Sequence, residues 1–319
     1  MEEHKRHHYV PVCYLKQFTY EKGSITHIYD KKTDKIFPQN IKDICCKDYF
    51  YRLSNEYLES QNGDLLNPLS IELDFFAKSI EEDYDFFLKW LHAESTYRYN
   101  SDNQYLDLTF EKKFNIARFI TIQYLRTPII RDLVVTENTR FEDKMLRLFK
   151  QGLAIEKNNP YISNLSLLNT LDIVSTHAIE TYLDNNYVDS IANHLAKSYW
   201  HFYYCPNEKF YSSDNPVTII HRNKDCFTGK NYGLTDYGAE VSIPINPNLF
   251  LTIYDYHYYT IYNGTDGLFV KAVKEHIDYA NVCQIIFSNR IVYNKSDEFT
   301  AVKRFKQLTQ KQLNVNNRC

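Results

Sequence analysis

The spacing of apolar residues predicts a helical block in the middle of the chain. Between Pro68 and Trp90, apolar residues recur every three or four positions, which is the period of an amphipathic helix that begins at a proline. A second helical stretch, from Leu108 to about Phe149, is expected to bend or break at Pro128, because proline has no backbone N–H group. After a break at 158–160, helical spacing returns over 165–186 and 187–200.

Strand patterns flank this block on both sides. Residues 25–30 alternate in polarity, a Lys-Lys-Thr-Asp turn follows, and residues 35–37 resume the pattern, which indicates a hairpin. After residue 200, runs rich in β-branched and aromatic residues predict strands over 200–206, 210–220, 239–255 and 283–293, with one helix over 268–283. Pro244 and Pro247 favour an edge strand or a bulge.

The predicted fold class is therefore α+β. It has a mainly helical middle block and an antiparallel or mixed C-terminal sheet that the N-terminal hairpin can join. We expect a single cooperative unit over 1–319, because the chain has no internal repeat and no low-complexity linker. Its sub-regions are an N-terminal motif and hairpin at 1–64, the helical block at 65–199, and a β-rich region with one helix at 200–319.

Composition narrows the functional classes. The 37 basic and 40 acidic residues argue against a general polyanion-binding surface, although nucleic acid is neither implied nor excluded. Seven cysteines without a CxxC spacing suggest neither a disulfide framework nor a zinc ribbon, which fits a reducing cytosol. No signal peptide and no run of about 18 apolar residues is present, so we expect a cytoplasmic protein without a membrane partner.

Two adjacent histidines, His7 and His8, are followed, after a single tyrosine, Tyr9, by Val10 and Pro11. These two residues favour an extended backbone, which would direct the two imidazoles to opposite sides. His8 could then act as a general acid, a general base or a metal ligand, because imidazole titrates near neutrality. The alternative is a solvated N-terminal arm without a chemical role.

A second polar group lies within the apolar stretch RFITIQYLRTP at 118–128. On a helix, Arg118, Gln123 and Arg126 fall within an arc of about 140°, and a helix that is apolar nearly all round is expected to be buried. Buried arginines need partners. They could bind an anionic ligand such as a phosphate or carboxylate, or form a structural ion pair with a carboxylate such as Glu72.

A third polar stretch, SSDNP at 212–216, has the composition of a turn. Its aspartate, Asp214, could also fix the tautomer of a histidine or bind a metal. The chain lacks the phosphate-binding loop GxxxxGK[ST], the dinucleotide motif GxGxxG, the esterase motif GxSxG and the metalloprotease motif HExxH. The absence of these motifs therefore disfavours the nucleotide-binding proteins and hydrolases that carry them.

Five ordered stretches carry a family resemblance: HHYVPVCYLKQF, RFITIQYLRTP, SSDNPV, PINPNL and NRIVY. Together they resemble the family known as domain of unknown function 4238, over nearly the whole chain. The sequence departs from the family's opening element at Val12 and Cys13, where a glutamine and an aromatic residue are expected. The family has no assigned activity. The resemblance implies a set of positions that deserve testing first, namely His8, Tyr14, Gln123, Arg126, Asp214 and Asn215.

Three hypotheses remain open at this stage. The first is a hydrolase of a phosphodiester or nucleotide that could serve as a bacterial defence or toxin-like effector. In this hypothesis His8 and Asp214 are catalytic, and Mg²⁺ or Mn²⁺ could take part in the reaction. Substrate would contact Arg126, Arg118, Gln123, Asn215 and Tyr14. The second is a non-catalytic module that binds a small anionic ligand or a protein partner. The third is a purely structural network of the same residues.

Overall fold

The computed structural model describes residues 5–60, 67–157, 173–183, 185–207, 209–221 and 233–316. Its α-helices are α1 (Val12–Leu15), α2 (Glu21–Ser24), α3 (Asn55–Ser60), α4 (Glu81–Tyr99), α5 (Phe110–Leu125), α6 (Pro128–Lys157), α7 (Ile173–Ala178), α8 (Asn185–Lys197), α9 (Lys274–Phe287) and α10 (Thr300–Asn316). Its strands are β1 (Arg6–His8), β2 (Ile25–Asp30), β3 (Lys35–Asn40), β4 (Cys46–Asp48), β5 (Tyr199–Tyr204), β6 (Ser212–Ser213), β7 (Thr218–His221), β8 (Ala239–Asn246), β9 (Leu249–Tyr254), β10 (Leu268–Lys271) and β11 (Ile291–Asn294).

The predicted middle block is mainly helical where the structure describes it, with a non-helical connection over 100–109 between α4 and α5. The first helix runs as a π-helix over Ile71–Ile80 and continues as α4. The predicted break at Pro128 is confirmed, because α5 ends at Leu125 and α6 begins at Pro128. Another π-helix, Ile179–Leu183, links α7 towards α8. The predicted break at 158–160 and the start of the next helix, through residue 172, lie outside the described residues.

The strands form three sheets among the described residues. A five-stranded sheet has the order β10-β5-β9-β8-β7, in which β10 and β5 are parallel and the other pairs are antiparallel. A four-stranded antiparallel sheet has the order β3-β2-β11-β6, and β1 pairs with β4. The predicted hairpin is thus confirmed as β2 and β3, and it joins the C-terminal strand β11. These sheets and helices confirm the α+β class.

Two sequence predictions in the C-terminal region were only partly right. Residues 268–271 form β10 rather than the first turn of a helix, and residues 283–287 belong to α9 rather than to a strand. Both are short apolar runs, for which periodicity does not separate strand from helix. Pro244 lies in β8, which is an interior strand with a register shift between Pro244 and Asn246, so the predicted bulge is confirmed and the edge position is not.

The five-stranded sheet is covered on both faces. Along β9, Leu249, Leu251 and Ile253 pack into the main core, which also draws residues from the N-terminal segment and the helical block. Phe250, whose side chain points the other way, packs with Phe210 and Ala280, the latter on α9. Every residue of β8 and β9 is buried, as expected for strands between two layers. None of the described helices is both long enough and apolar enough to cross a lipid bilayer.

Candidate functional site

Arg126 lies at the end of α5, where Pro128 starts a new helix, and its side chain is fully buried. Its Nη2 donates a hydrogen bond to the main-chain carbonyl of His8, and its Nη1 lies 3.4 Å from Oε1 of Glu81. The guanidinium carbon is 3.9 Å from the ring centre of Phe76, which is a close cation–π contact. Tyr51 Oη donates to the main-chain oxygen of Arg126 at 2.7 Å. This buried cation is therefore held on several sides.

We call this cluster the Arg126 centre; it comprises His8, Tyr51, Glu72, Phe76, Glu81 and Arg126. Burial by itself lowers the pKa of Arg126, but the neighbouring Tyr51, Glu81 and Glu72 oppose this effect, and the net pKa is raised. Arg126 is consequently a fixed positive charge at any ordinary pH. A cation that cannot be discharged dominates the electrostatics of the groups around it.

Two titratable groups of the centre have perturbed pKa values. Burial raises the pKa of Glu72 to about 7, against the opposing effect of Arg126 and with a further increase from Glu81. Burial lowers the pKa of His8, and Arg126 lowers it further, while backbone hydrogen bonds at Ile41 and Lys42 act in the opposite direction. Glu72 Oε2 and His8 Nε2 are both buried atoms that have no hydrogen-bond partner among the described residues. Such combinations are common at functional sites.

A pocket adjoins the centre and is lined by Tyr51, Arg126, Arg131 and His177, among others. Its volume is about 10 Å³, which is close to the space that one water molecule needs. Arg131 stacks on the Phe50 ring at 3.7 Å and donates to the Phe50 carbonyl. Burial, followed by the charge of Arg131, lowers the pKa of His177, whose Nε2 has no hydrogen-bond partner in the part of the chain that the structure describes. The pocket thus combines two guanidinium groups with an imidazole that is neutral at pH 7.

Tyr14 and Gln123 meet through a third side chain. Tyr84 donates to Oε1 of Gln123, and its ring stacks on that of Tyr14 with 6.3 Å between the ring centres. Tyr14 Oη lies 2.9 Å from Ser212 Oγ and donates to the carbonyl of Pro244. Both Tyr14 and Gln123 are completely buried. Their contacts join the helical block to the sheets.

Arg118 lies away from the centre, two turns earlier on α5. Its Nε is 2.7 Å from Oδ1 of Asp189 on α8, and both side chains are partly exposed. This ion pair joins the two helices that make the most extensive helix–helix contact in the described structure. The structure therefore separates the two arginines, and only Arg126 lies beside His8.

Asp214 binds the backbone at the start of β11. Its Oδ1 accepts from Asn289 N at 2.8 Å, and its Oδ2 accepts from Arg290 N and Ile291 N at 2.8 and 3.1 Å. Burial raises the pKa of Asp214, against the opposing effect of these three hydrogen bonds. Asn215 donates to the carbonyl of Phe287 at 3.1 Å. Both residues therefore fix the turn between α9 and β11.

His8 and Asp214 share no hydrogen bond or ion pair within the described residues. The described chain also contains no group of three His, Cys, Asp or Glu residues that could hold a metal ion. Sequence reasoning named Glu72 only as an ion-pair partner, and it missed Glu81, Arg131 and His177. The position of Arg131, three residues after Pro128, is a sequence signal that could have pointed to it. No sequence pattern marks His177, because it reaches the pocket only through the packing of α7.

The quoted sequence stretches form one continuous network. Arg126 links RFITIQYLRTP to the opening stretch through the carbonyl of His8, and Tyr14 links the opening stretch to PINPNL at Pro244 and to SSDNPV at Ser212. Asp214 then links SSDNPV to NRIVY. A family model described as "Protein of unknown function (DUF4238)" matches residues 6–298. The chain belongs to this family.

The match covers all five stretches, and the contacts above hold these stretches together in the described part of the chain. Comparison with curated proteins and with solved structures found no match. The family description assigns no activity. The geometry of the Arg126 centre is therefore the basis for a function.

Proposed function

We propose that the Arg126 centre and its adjoining pocket bind a small ligand that carries a phosphate or carboxylate group. The observation that carries this proposal is the convergence of Arg126, Arg131 and His177 on one pocket. Guanidinium groups bind such anions through paired hydrogen bonds. Glu72, with its pKa raised to about 7, is in part uncharged at neutral pH and so opposes an incoming anion less than an ordinary carboxylate would.

A phosphate group needs more space than the pocket offers in this conformation. Arg131 is half-buried, and its contacts in the pocket wall include the ring and the carbonyl of Phe50. A ligand that replaces the Phe50 carbonyl as acceptor would draw the Arg131 guanidinium off the ring and widen the pocket. Arg126, held on several sides, would stay in place and supply a fixed charge.

Protection against thermal unfolding tests this proposal with inorganic phosphate, pyrophosphate, nucleotides and small carboxylates. Arg131→Gln should lose the protection that wild type gains. Arg140→Gln is the matched control, because Arg140 lies on the same helix and pairs with Glu137 in an exposed position. Phosphate also stabilises proteins by exclusion from their surface, which affects both variants equally. Equal protection of wild type and Arg131→Gln by every compound would refute the proposal.

A second candidate is hydrolysis of a phosphodiester or nucleotide at the same place. It is favoured by Glu72, which has an unpartnered oxygen and a pKa in the range suited to acid–base catalysis at neutral pH. His8 and His177 each offer an unpartnered imidazole nitrogen, and Arg126 could stabilise charge that develops on the phosphorus oxygens. Glu72 fits the acid–base role better than Asp214, whose oxygens already accept three backbone hydrogen bonds. Such an enzyme could serve as a bacterial defence or toxin-like effector.

Product analysis by mass spectrometry tests the second candidate. Wild type would be incubated with RNA, single- and double-stranded DNA, and nucleotides, in the presence of Mg²⁺, Mn²⁺ or chelator. Glu72→Gln and His8→Ala, each shown to be folded, should lose cleavage that wild type performs. Cleavage that survives in Glu72→Gln assigns the reaction to other residues, and the absence of any product from wild type removes this candidate while the binding proposal stands.

A further inference from the structure

A cavity larger than the pocket beside Arg126 lies between α9, the end of β11 and the start of α10. Its volume of about 310 Å³ falls within the usual range of small-molecule sites, about 300–1,000 Å³. We call it the α9–α10 pocket; its lining includes Lys209, Lys274, Asp278, Asn294, Glu298 and Arg304. It shares no lining residue with the pocket beside Arg126.

Asn294 supplies the most informative atom of this pocket. The residue is 1% exposed, and its Oδ1 accepts no hydrogen bond from the described residues, whereas its Nδ2 donates to Ser296 Oγ at 3.4 Å. The second buried asparagine of the pocket, Asn281, has a partner at both ends of its amide: its Oδ1 accepts from Tyr211 N, and its Nδ2 donates to the carbonyl of Lys209, both at 2.8 Å. A buried amide oxygen without a donor suits a ligand hydroxyl or amino group.

The rim of the pocket carries an excess of positive charge. Asp278 is shared by Lys274 and Arg304, each at 2.8 Å, and Lys209 lies 3.6 Å from Glu298. Three cations thus face two carboxylates, which favours a ligand with an anionic group at the rim. Ser296 and Thr300 line the pocket beside Tyr211, Ile277 and Ala301, so it offers hydroxyl partners to a sugar together with an apolar surface for the face of its ring.

We propose that the α9–α10 pocket binds a small polyhydroxylated anion of the sugar-phosphate class. A ligand hydroxyl donates to Oδ1 of Asn294 at the floor, and the phosphate group replaces the Asp278 carboxylate as the acceptor between Lys274 and Arg304 at the rim. This site is independent of the function proposed for the Arg126 centre.

Ligand-observed NMR on the full chain tests the proposal, with glucose 6-phosphate as the probe and glucose, inorganic phosphate and L-serine for comparison. Wild type should transfer saturation to glucose 6-phosphate more strongly than to glucose or L-serine, and inorganic phosphate, which has no C–H proton to observe, should compete only weakly with that signal. Arg304→Gln and Asn294→Leu should each weaken the binding of glucose 6-phosphate by about tenfold or more. Arg140→Gln should leave it unchanged, and Arg131→Gln should retain the binding that Arg304→Gln loses, which separates this site from the Arg126 centre.

If Asn294→Leu does not fold, Arg304→Gln alone tests the proposal, because the Arg304 side chain is half-exposed. Absence of binding of glucose 6-phosphate to wild type overturns the proposal, as does binding that Arg304→Gln retains in full. Loss of binding in Arg131→Gln would assign the ligand to the Arg126 centre instead. A preference for L-serine would overturn the assigned ligand class.

Discussion

The guanidinium of Arg126 donates a hydrogen bond to the main-chain carbonyl of His8, 118 residues earlier in the chain. This contact places the charge of Arg126 beside the His8 imidazole, whose pKa is lowered first by burial and then by that charge. It also makes His8 a structural anchor through its backbone, whatever its side chain does. The two residues connect the opening motif to the helical block.

Replacing Arg126 should destabilise the fold strongly. Arg126→Leu leaves the His8 carbonyl and the Glu81 carboxylate without their buried donor, and loss of one partner from a buried pair costs about 3–5 kcal/mol. Urea unfolding would measure the free energy of unfolding of the variant and wild type. A loss below about 1 kcal/mol would show that the centre does not depend on this cation.

Arg118→Ala should have a much smaller effect, although Arg118 lies on the same helix. Its pair with Asp189 is partly exposed, and such pairs contribute about 0–1 kcal/mol. The same urea titrations compare the two arginines directly. A loss for Arg118→Ala as large as that for Arg126→Leu would contradict the difference in burial on which both predictions depend.

The stability contribution of Glu72 should fall as the pH rises. Its pKa is raised from 4.5 to about 7 in the folded protein, so between these values the folded state binds more protons than the unfolded state. The associated penalty grows from about pH 4.5, is complete above about pH 7, and amounts to at most about 3 kcal/mol. Glu72→Gln should therefore gain stability relative to wild type as the pH rises.

Urea titrations of wild type and Glu72→Gln at several pH values from 5 to 8 would measure this difference. Asp74→Asn is a suitable control, because Asp74 lies in the same π-helix and is exposed. Parallel pH profiles for wild type and Glu72→Gln would mean that Glu72 has an ordinary pKa, and would remove it from the acid–base role.

Asp214→Asn should loosen the start of β11. The substitution replaces one carboxylate oxygen by an amide nitrogen, which cannot accept the backbone hydrogen bonds that the oxygen accepted. Each buried backbone donor that is left unsatisfied costs about 1–3 kcal/mol. Hydrogen exchange followed by NMR should show faster exchange of the amides of residues 289–291, with smaller changes elsewhere. Unchanged protection of these amides would refute the anchoring role.

The sequence was most informative where a local rule applies. The break between α5 and α6 follows from Pro128 alone, and the hairpin of β2 and β3 follows from alternation and its turn. Strand β10 was missed because its four residues show no distinguishing period, and its parallel pairing with β5 depends on residues far away in the chain.

For the site, burial of Arg126 and its need for partners followed from the apolar helix around it. The nature of the partners did not, because a main-chain carbonyl such as that of His8 has no signature in the sequence. Asp214 illustrates the same limit, since a carboxylate that binds three backbone amides has the same sequence context as one in a simple turn. His177 reaches the pocket only through tertiary packing.

Isothermal titration calorimetry with inorganic phosphate would test the central claim, that the Arg126 centre binds an anion, most directly. Wild type and Arg140→Gln should bind phosphate with the same affinity, and Arg131→Gln should bind at least about tenfold more weakly. Equal affinities for all three proteins, or no heat of binding with wild type, would contradict the claim and leave the Arg126 centre as a purely structural network.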